Sequence, residues 1–261
     1  MQPKTGLDNE NSVTDDSLKK GKALFFSGYY KKALPYLKKA AENKQDNAET
    51  CFYLGSCFGN LGQYREAVQA YKKSVRIEPN SAEAHNSLGF TYKNLGQFQE
   101  AIQSYKQAIR IQPDYALAYF NLGSAYYDLN QHQEAIQAFK EAIRIKPDWT
   151  DAHFLLGSAY YVLGQFQEAI QSYKQAIRIK PDWADAHICL GVAYNALNQR
   201  QEAIQTFKQA IRIKPDLAEA HFSLGSAYAT MNDTGSALDE YKILKKLDGK
   251  KADKLFNIIY K

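Results

Sequence analysis

AEAHNSLGFTYKNLGQFQEAIQSYKQAIRIQPDY, residues 82–115, returns 34 residues later in altered form, and then again. One part returns intact: Gly96–Ile111 and Gly164–Ile179 are the same sixteen residues. A sequence that repeats at this period repeats a supersecondary unit, so the repeat sets the architecture before any single residue is weighed. Five regular copies run Ala48–Ser81, Ala82–Tyr115, Ala116–Trp149, Thr150–Trp183 and Ala184–Leu217, closing on Pro79, Pro113, Pro147, Pro181 and Pro215. A further copy, Ala218–Lys251, has Gly249 in place of the proline. A divergent one, residues 14–47, precedes them, preceded in turn by a polar tail (residues 1–13) that is expected to be disordered, with Asp15 or Ser17 as the expected cap of the first helix. Residues 252–261 carry Leu255, Phe256, Ile258 and Ile259 at helical spacing, which predicts a helix capping the last repeat.

Each copy predicts two helices. In residues 82–115, Leu88, Tyr92 and Leu95 mark the first, and Ala101, Ile102, Tyr105, Ala108 and Ile109 mark the second. Gly62, Gly96 and Gly164 alternate with Asn130, Asn198 and Asn232 between the two. Glycine and asparagine are the residues that most readily take the left-handed conformation closing a helix. The aspartates after the prolines, Asp114, Asp148, Asp182 and Asp216, are expected to cap the next helix. A glycine recurs inside every first helix, as at Gly55, Gly89 and Gly191, although it costs roughly 1 kcal/mol against alanine there. That recurrence predicts a close helix crossing, with Ala101 and its equivalents on the other side.

The series His85-x-x-Leu88-Gly89-x-x-Tyr92, then Ala101, Tyr105 and Pro113, resembles the tetratricopeptide repeat (TPR) pattern over about nine tenths of the chain. The resemblance implies an all-α fold, helix-turn-helix repeats stacked as a right-handed α-solenoid, and a role in holding other proteins. The main departure is histidine, cysteine or tyrosine where the pattern has tryptophan.

Composition bounds the remaining functions. No run of eighteen apolar residues exists, the first residues have no apolar core, and the cytoplasm is the expected compartment, with membrane contact at most through a partner. The net charge of +5 is mild for a nucleic-acid binder. Cys51, Cys57 and Cys189 are odd in number and scattered, unlike a disulfide framework, and are read as structural. His85, His153, His187 and His221 share one repeat position. Stacked repeats hold such positions about 10 Å apart, too far for one metal ion, so packing is expected. No nucleophile motif, phosphate loop or dinucleotide fingerprint occurs, and neither catalysis nor a cofactor is expected.

The TPR resemblance places the second, fifth, ninth, twelfth and thirteenth positions of each first helix on a concave groove. The groove candidates are then Phe52, Asn86, Phe90, Phe120, Tyr127, Phe154, Tyr161, Ile188 and Phe222, edged by Glu83, Asp151, Asp185 and Glu219. The lysine–asparagine clamp by which some TPR proteins grip acidic chaperone tails has Phe52, Ser56, Phe120 and Ser124 in its place. On the second helices, Lys106/Arg110, Lys140/Arg144, Lys174/Arg178 and Lys208/Arg212 align as a convex basic stripe without interleaved aromatics, read first as a solvated face.

The leading expectation is a non-enzymatic scaffold holding a peptide or partner helix, basic and apolar in character, in the groove. One alternative is self-assembly into a homo-oligomer. The aromatic cluster of the first repeat (Phe25, Phe26, Tyr29, Tyr30) would dock in a neighbour's groove, as proposed for the TPR protein that coats bacterial magnetosomes. The other alternative, ranked lower, is contact of the basic stripe with nucleic acid or an anionic membrane.

Overall fold

A computed structural model describes residues 6–42 and 47–261, with side chains from residue 16 onward. The described residues form fifteen α-helices and no strand. Seven lie in a compact unit ending at Leu129: α1 (Gly6–Phe26), α2 (Tyr30–Glu42), α3 (Ala48–Asn60), α4 (Tyr64–Ile77), α5 (Ala82–Asn94), α6 (Phe98–Ile111) and α7 (Ala116–Asp128). Eight lie in a second unit beginning at Asn130: α8 (His132–Ile145), α9 (Thr150–Val162), α10 (Phe166–Ile179), α11 (Ala184–Ala196), α12 (Arg200–Ile213), α13 (Ala218–Thr230), α14 (Thr234–Leu247) and α15 (Gly249–Ile259).

The turn between paired helices follows from its left-handed residue. Gly96 has φ +73°, and Asn198 at the equivalent place has φ +58°. At Gly96 the backbone folds back through Gln97 N–H to Tyr92 O (2.9 Å) and Gly96 N–H to Lys93 O (2.9 Å). These are the paired bonds of a Schellman motif, which satisfy carbonyls left open at a helix end. Asn198 makes the same pair through Asn198 N–H to Asn195 O and Gln199 N–H to Tyr194 O.

The recurrent helix glycine makes room for a ring. A Cβ added at Gly191 would lie 2.5 Å from Phe207 Cε1, and one at Gly89 would lie 2.7 Å from Tyr105 Cε1 and 3.1 Å from the Ala101 carbonyl. The close crossing is therefore present, but an aromatic ring of the second helix fills most of it. Ala101 contributes its backbone. In the last repeat the intruder is Leu255 from α15, 2.5 Å from a Cβ at Gly225.

Within each unit, each first helix touches its partner and the first helix of the next repeat: α1–α3, α3–α5 and α5–α7 in one unit, α9–α11 and α11–α13 in the other. Within each unit, no second helix comes as close to another second helix. The first helices are thus the closer-spaced row, the inner side of each unit's curve.

Four expectations need correction. The tail predicted over residues 1–13 lies outside the described residues only up to residue 5. From Gly6 the backbone is helical, and no proline or glycine interrupts the sequence between Gly6 and Gly21. Asp15 and Ser17, read as possible caps of this helix, therefore lie within it. The aspartates after the prolines do not cap. The N-cap position falls one residue later, on Tyr115, Trp149, Trp183 and Leu217, none of which makes a side-chain cap bond. The C-terminal helix does not bury all its apolar residues on one face. Leu255 and Ala252 are fully buried, while Phe256 and Ile258 are exposed.

The histidines have a structural task. His85, His153, His187 and His221 place Nε2 2.8–3.0 Å from the carbonyls of Pro79, Pro147, Pro181 and Pro215, tying each first helix to the turn before it. Among the described residues, no group of three or more potential ligands converges as a metal site.

Candidate protein-interaction groove

Two adjoining cavities lie on the inner row of the first unit. One, of about 300 Å³, is lined by Ser56, Gly59 and Asn60 of α3, Tyr71 of α4, Asn86, Ser87, Phe90 and Thr91 of α5, and Leu117 and Asn121 of α7. The other, of about 440 Å³, extends from Phe25 and Phe26 of α1 across Glu49, Phe52 and Tyr53 to Glu78, Ser81 and Glu83. They share Ser56, Asn60, Tyr71 and Ser87, and so form one groove.

The groove floor is fixed by hydrogen bonds. Ser56 Oγ and the Tyr71 hydroxyl are 2.9 Å apart, and Asn60 donates from Nδ2 to the Ser56 carbonyl at 2.8 Å. Asn121 donates from Nδ2 to Asn86 Oδ1 at 3.0 Å, bridging α7 and α5 across the floor. Burial raises the pKa of Tyr71, so its hydroxyl stays protonated and neutral at physiological pH. The walls carry the apolar surface: Phe90 is 52% exposed and Leu117 41%. Rigid helices thus hold two open apolar side chains beside a satisfied polar floor, an arrangement suited to a peptide with an apolar anchor.

The fifth-position residues have mixed fates. Asn86 and Ile188 are buried, whereas Phe52, Phe120, Phe154 and Phe222 are half-buried. Phe52 packs 5.7 Å from the Tyr71 ring. Phe154 packs 5.6 Å from Tyr173 and 4.5 Å from Trp183. Phe222 packs on the cluster of Leu244, Ala252 and Leu255. These rings pack within their own repeats, Phe222 reaching α15 as well, and Phe52 also lines the larger cavity. Tyr127 is half-buried on α7, and Tyr161 is half-buried 5.2 Å from Phe166. The acidic edge is exposed at Glu83, Asp151, Asp185 and Glu219, though Lys251 pairs with Glu219 at 3.3 Å. Tyr53, Ser87 and Asn121 also line the groove. They share the sixth repeat position, which the resemblance did not include.

Models of the tetratricopeptide repeat match residues 18–47 and 80–148, and a TPR repeat model matches residues 58–96, 157–198 and 193–232. The chain belongs to the tetratricopeptide repeat family. No curated protein matches it in sequence. Among solved structures it is similar to MamA, with 34% identity over 62% of this chain and 95% of that one and a TM-score of 0.60. It is also similar to YrrB, described as a TPR protein with an unusual peptide-binding site, with 23% identity over 70% and 95% of the two chains and a TM-score of 0.62. The C-terminal part of a TPR protein from Cytophaga hutchinsonii aligns over 91% and 98%, with 21% identity and a TM-score of 0.79. The last two likenesses concern the fold alone.

On the outer side of the TPR pairs, the lysines of the basic stripe have aromatic neighbours after all. Lys106, Lys140, Lys174 and Lys208 lie 5.5–5.7 Å from the ring centres of Tyr126, Tyr160, Tyr194 and Tyr228. Each tyrosine comes from the first helix of the next TPR, so the contact is invisible within one repeat. Tyr160 is only 9% exposed and Tyr126, Tyr194 and Tyr228 are half-buried, each with a lysine ammonium beside its ring. Arg144 pairs with Glu141 and Arg178 donates to Gln175, while Arg110 and Arg212 are exposed. No helix among the described residues is long and apolar enough to cross a membrane.

Proposed function

We propose that this TPR protein is a non-enzymatic scaffold that holds an extended or helical peptide of a protein partner along the groove of α3, α5 and α7. The observation that carries this reading is the exposure of Phe90 and Leu117 over a cavity whose polar floor is already hydrogen-bonded. A soluble helix seldom leaves large apolar side chains open beside a cavity unless something covers them. Selection of a displayed twelve-residue peptide library on the wild-type protein, counter-screened on the Phe90→Ala/Leu117→Ala variant, tests it. Peptides should be recovered on the first and lost on the second. An empty selection on the wild type, or equal recovery on both, would contradict it.

A second reading, self-assembly, is favoured by one observation. Phe26, the last residue of α1, and Tyr29, in the turn before α2, are 70% and 56% exposed, next to the packed cluster of Phe25, Tyr30 and Tyr53. Light scattering of the full chain and a Phe26→Ser/Tyr29→Ser variant separates the readings: self-assembly requires a concentration-dependent mass that the variant loses.

A further inference from the structure

The larger of the two cavities has a chemistry of its own. It is walled by five aromatic rings, Phe25, Phe26, Phe52, Tyr53 and Tyr71, and every charged side chain lining it is a glutamate: Glu49, Glu78 and Glu83. The chain as a whole carries a net charge of +5, so this local excess of negative charge runs against the protein's average. Glu49 is already engaged by Lys22 of α1, whose ammonium also lies 5.2 Å from the centre of the Tyr53 ring. Glu78 and Glu83 are exposed and have no ion-pair partner among the described residues.

Lys22 shows what this wall accepts. A cation on a long aliphatic stem meets a carboxylate with its head and an aromatic ring beside it, a pairing favoured by both the ring quadrupole and the opposite charge. Glu78, in the turn before α5, and Glu83, at its start, leave two more carboxylates facing the same aromatic cavity with no such cation.

We propose that this cavity receives a lysine or arginine side chain of the bound peptide, with Glu78 and Glu83 as its counter-charges and Phe26, Phe52 and Tyr53 as the surface for its stem. The inference rests on the peptide-groove reading and gives the partner a pattern. A basic residue sits in this cavity, and an apolar residue a few positions away lies against Phe90 and Leu117. Arginine fits best, because its planar head can both stack on a ring and bridge two carboxylates.

The test is the same displayed library, sequenced after selection on the wild type and on Glu78→Gln/Glu83→Gln, both substitutions being exposed and nearly isosteric. Wild-type binders should be enriched in arginine or lysine at a fixed spacing from an apolar residue. The variant should keep the apolar preference and lose the basic one. A synthetic binder should bind the variant about tenfold more weakly, and replacing its arginine by glutamine should cost little more there, because the two changes remove one interaction. Wild-type binders without basic enrichment, or an enrichment the variant retains, would overturn the cation pocket while leaving the peptide groove standing. An empty wild-type selection would overturn both.

Discussion

Ser56 and Tyr71 share a hydrogen bond of 2.9 Å, and the next repeat replaces that serine by Phe90, leaving the buried hydroxyl of Tyr105 with no partner. The same serine–tyrosine pair recurs as Ser158 and Tyr173, at 3.2 Å. Where the ring is phenylalanine the other position varies: it is Val192 for Phe207 and Ser124 for Phe139. Polarity matches at Ser56–Tyr71, Ser158–Tyr173 and Val192–Phe207, and Phe90–Tyr105 is a mismatch that leaves a tyrosine hydroxyl buried and unpaired. A buried unpaired hydroxyl costs about 1–3 kcal/mol, so this repeat is less stable than its neighbours' design would make it. The residue responsible is also the most open large apolar side chain of the smaller cavity. A local conflict that leaves a hydroxyl unpaired and turns an apolar side chain outward beside a cavity is the kind of exception a binding residue makes.

Phe90→Ser should therefore raise the midpoint of urea or thermal unfolding, while Phe90→Ala, which supplies no hydroxyl, should not. Circular dichroism on the three proteins decides it. A serine variant no more stable than the alanine variant would show that Tyr105 is not short of a partner.

His153→Ala should lower stability by about 1 kcal/mol by removing the bond to the Pro147 carbonyl. The loss should appear in local hydrogen exchange at the start of α9 before it appears in the global transition, because a repeat array opens unit by unit. Unchanged exchange there would mean that the histidine merely rests on the turn.

Burial pushes the thiols of Cys57 and Cys189 up to about 11, from an ordinary 9.0. Both are protonated in the folded protein at a pH where the unfolded chain has already ionised. Their contribution to stability is therefore complete below about pH 9 and is lost as pH rises through 11. Denaturation midpoints should fall between pH 8 and 10.5, by an amount equivalent to about 2 kcal/mol per thiol, and Cys57→Ala should fall less. An equal fall in the variant would remove Cys57 from the account.

The helix pairs and their turns were readable because one physical demand recurs in every repeat. Asn130, Asn198 and Asn232 stand in for glycine at φ 58°, and only a left-handed residue explains that exchange. Other features were hidden because they join two repeats or two helices that a single unit does not show. The lysine–tyrosine contacts cross from one repeat to the next, and the ring that fills the glycine crossing comes from sixteen residues further on, as Tyr105 does for Gly89. The aspartate caps failed for a local reason: the helix begins after Tyr115 or Trp149, so Asp114 and Asp148 fall in the turn. The groove was half legible. Periodicity marks Phe52 and Phe154 as apolar, but whether such a ring faces the groove or its own repeat depends on neighbours such as Tyr71 and Trp183.

The central claim is that the groove over α3, α5 and α7 binds peptide through Phe90 and Leu117. Calorimetric titration of one library-selected peptide into the wild type and into Phe90→Ala/Leu117→Ala tests it most directly, with matched unfolding midpoints confirming that both are folded. The account predicts that the double variant binds at least about tenfold more weakly, the loss expected from removing two apolar contacts at an anchor site. An affinity equal to the wild type's would place the peptide elsewhere and contradict it.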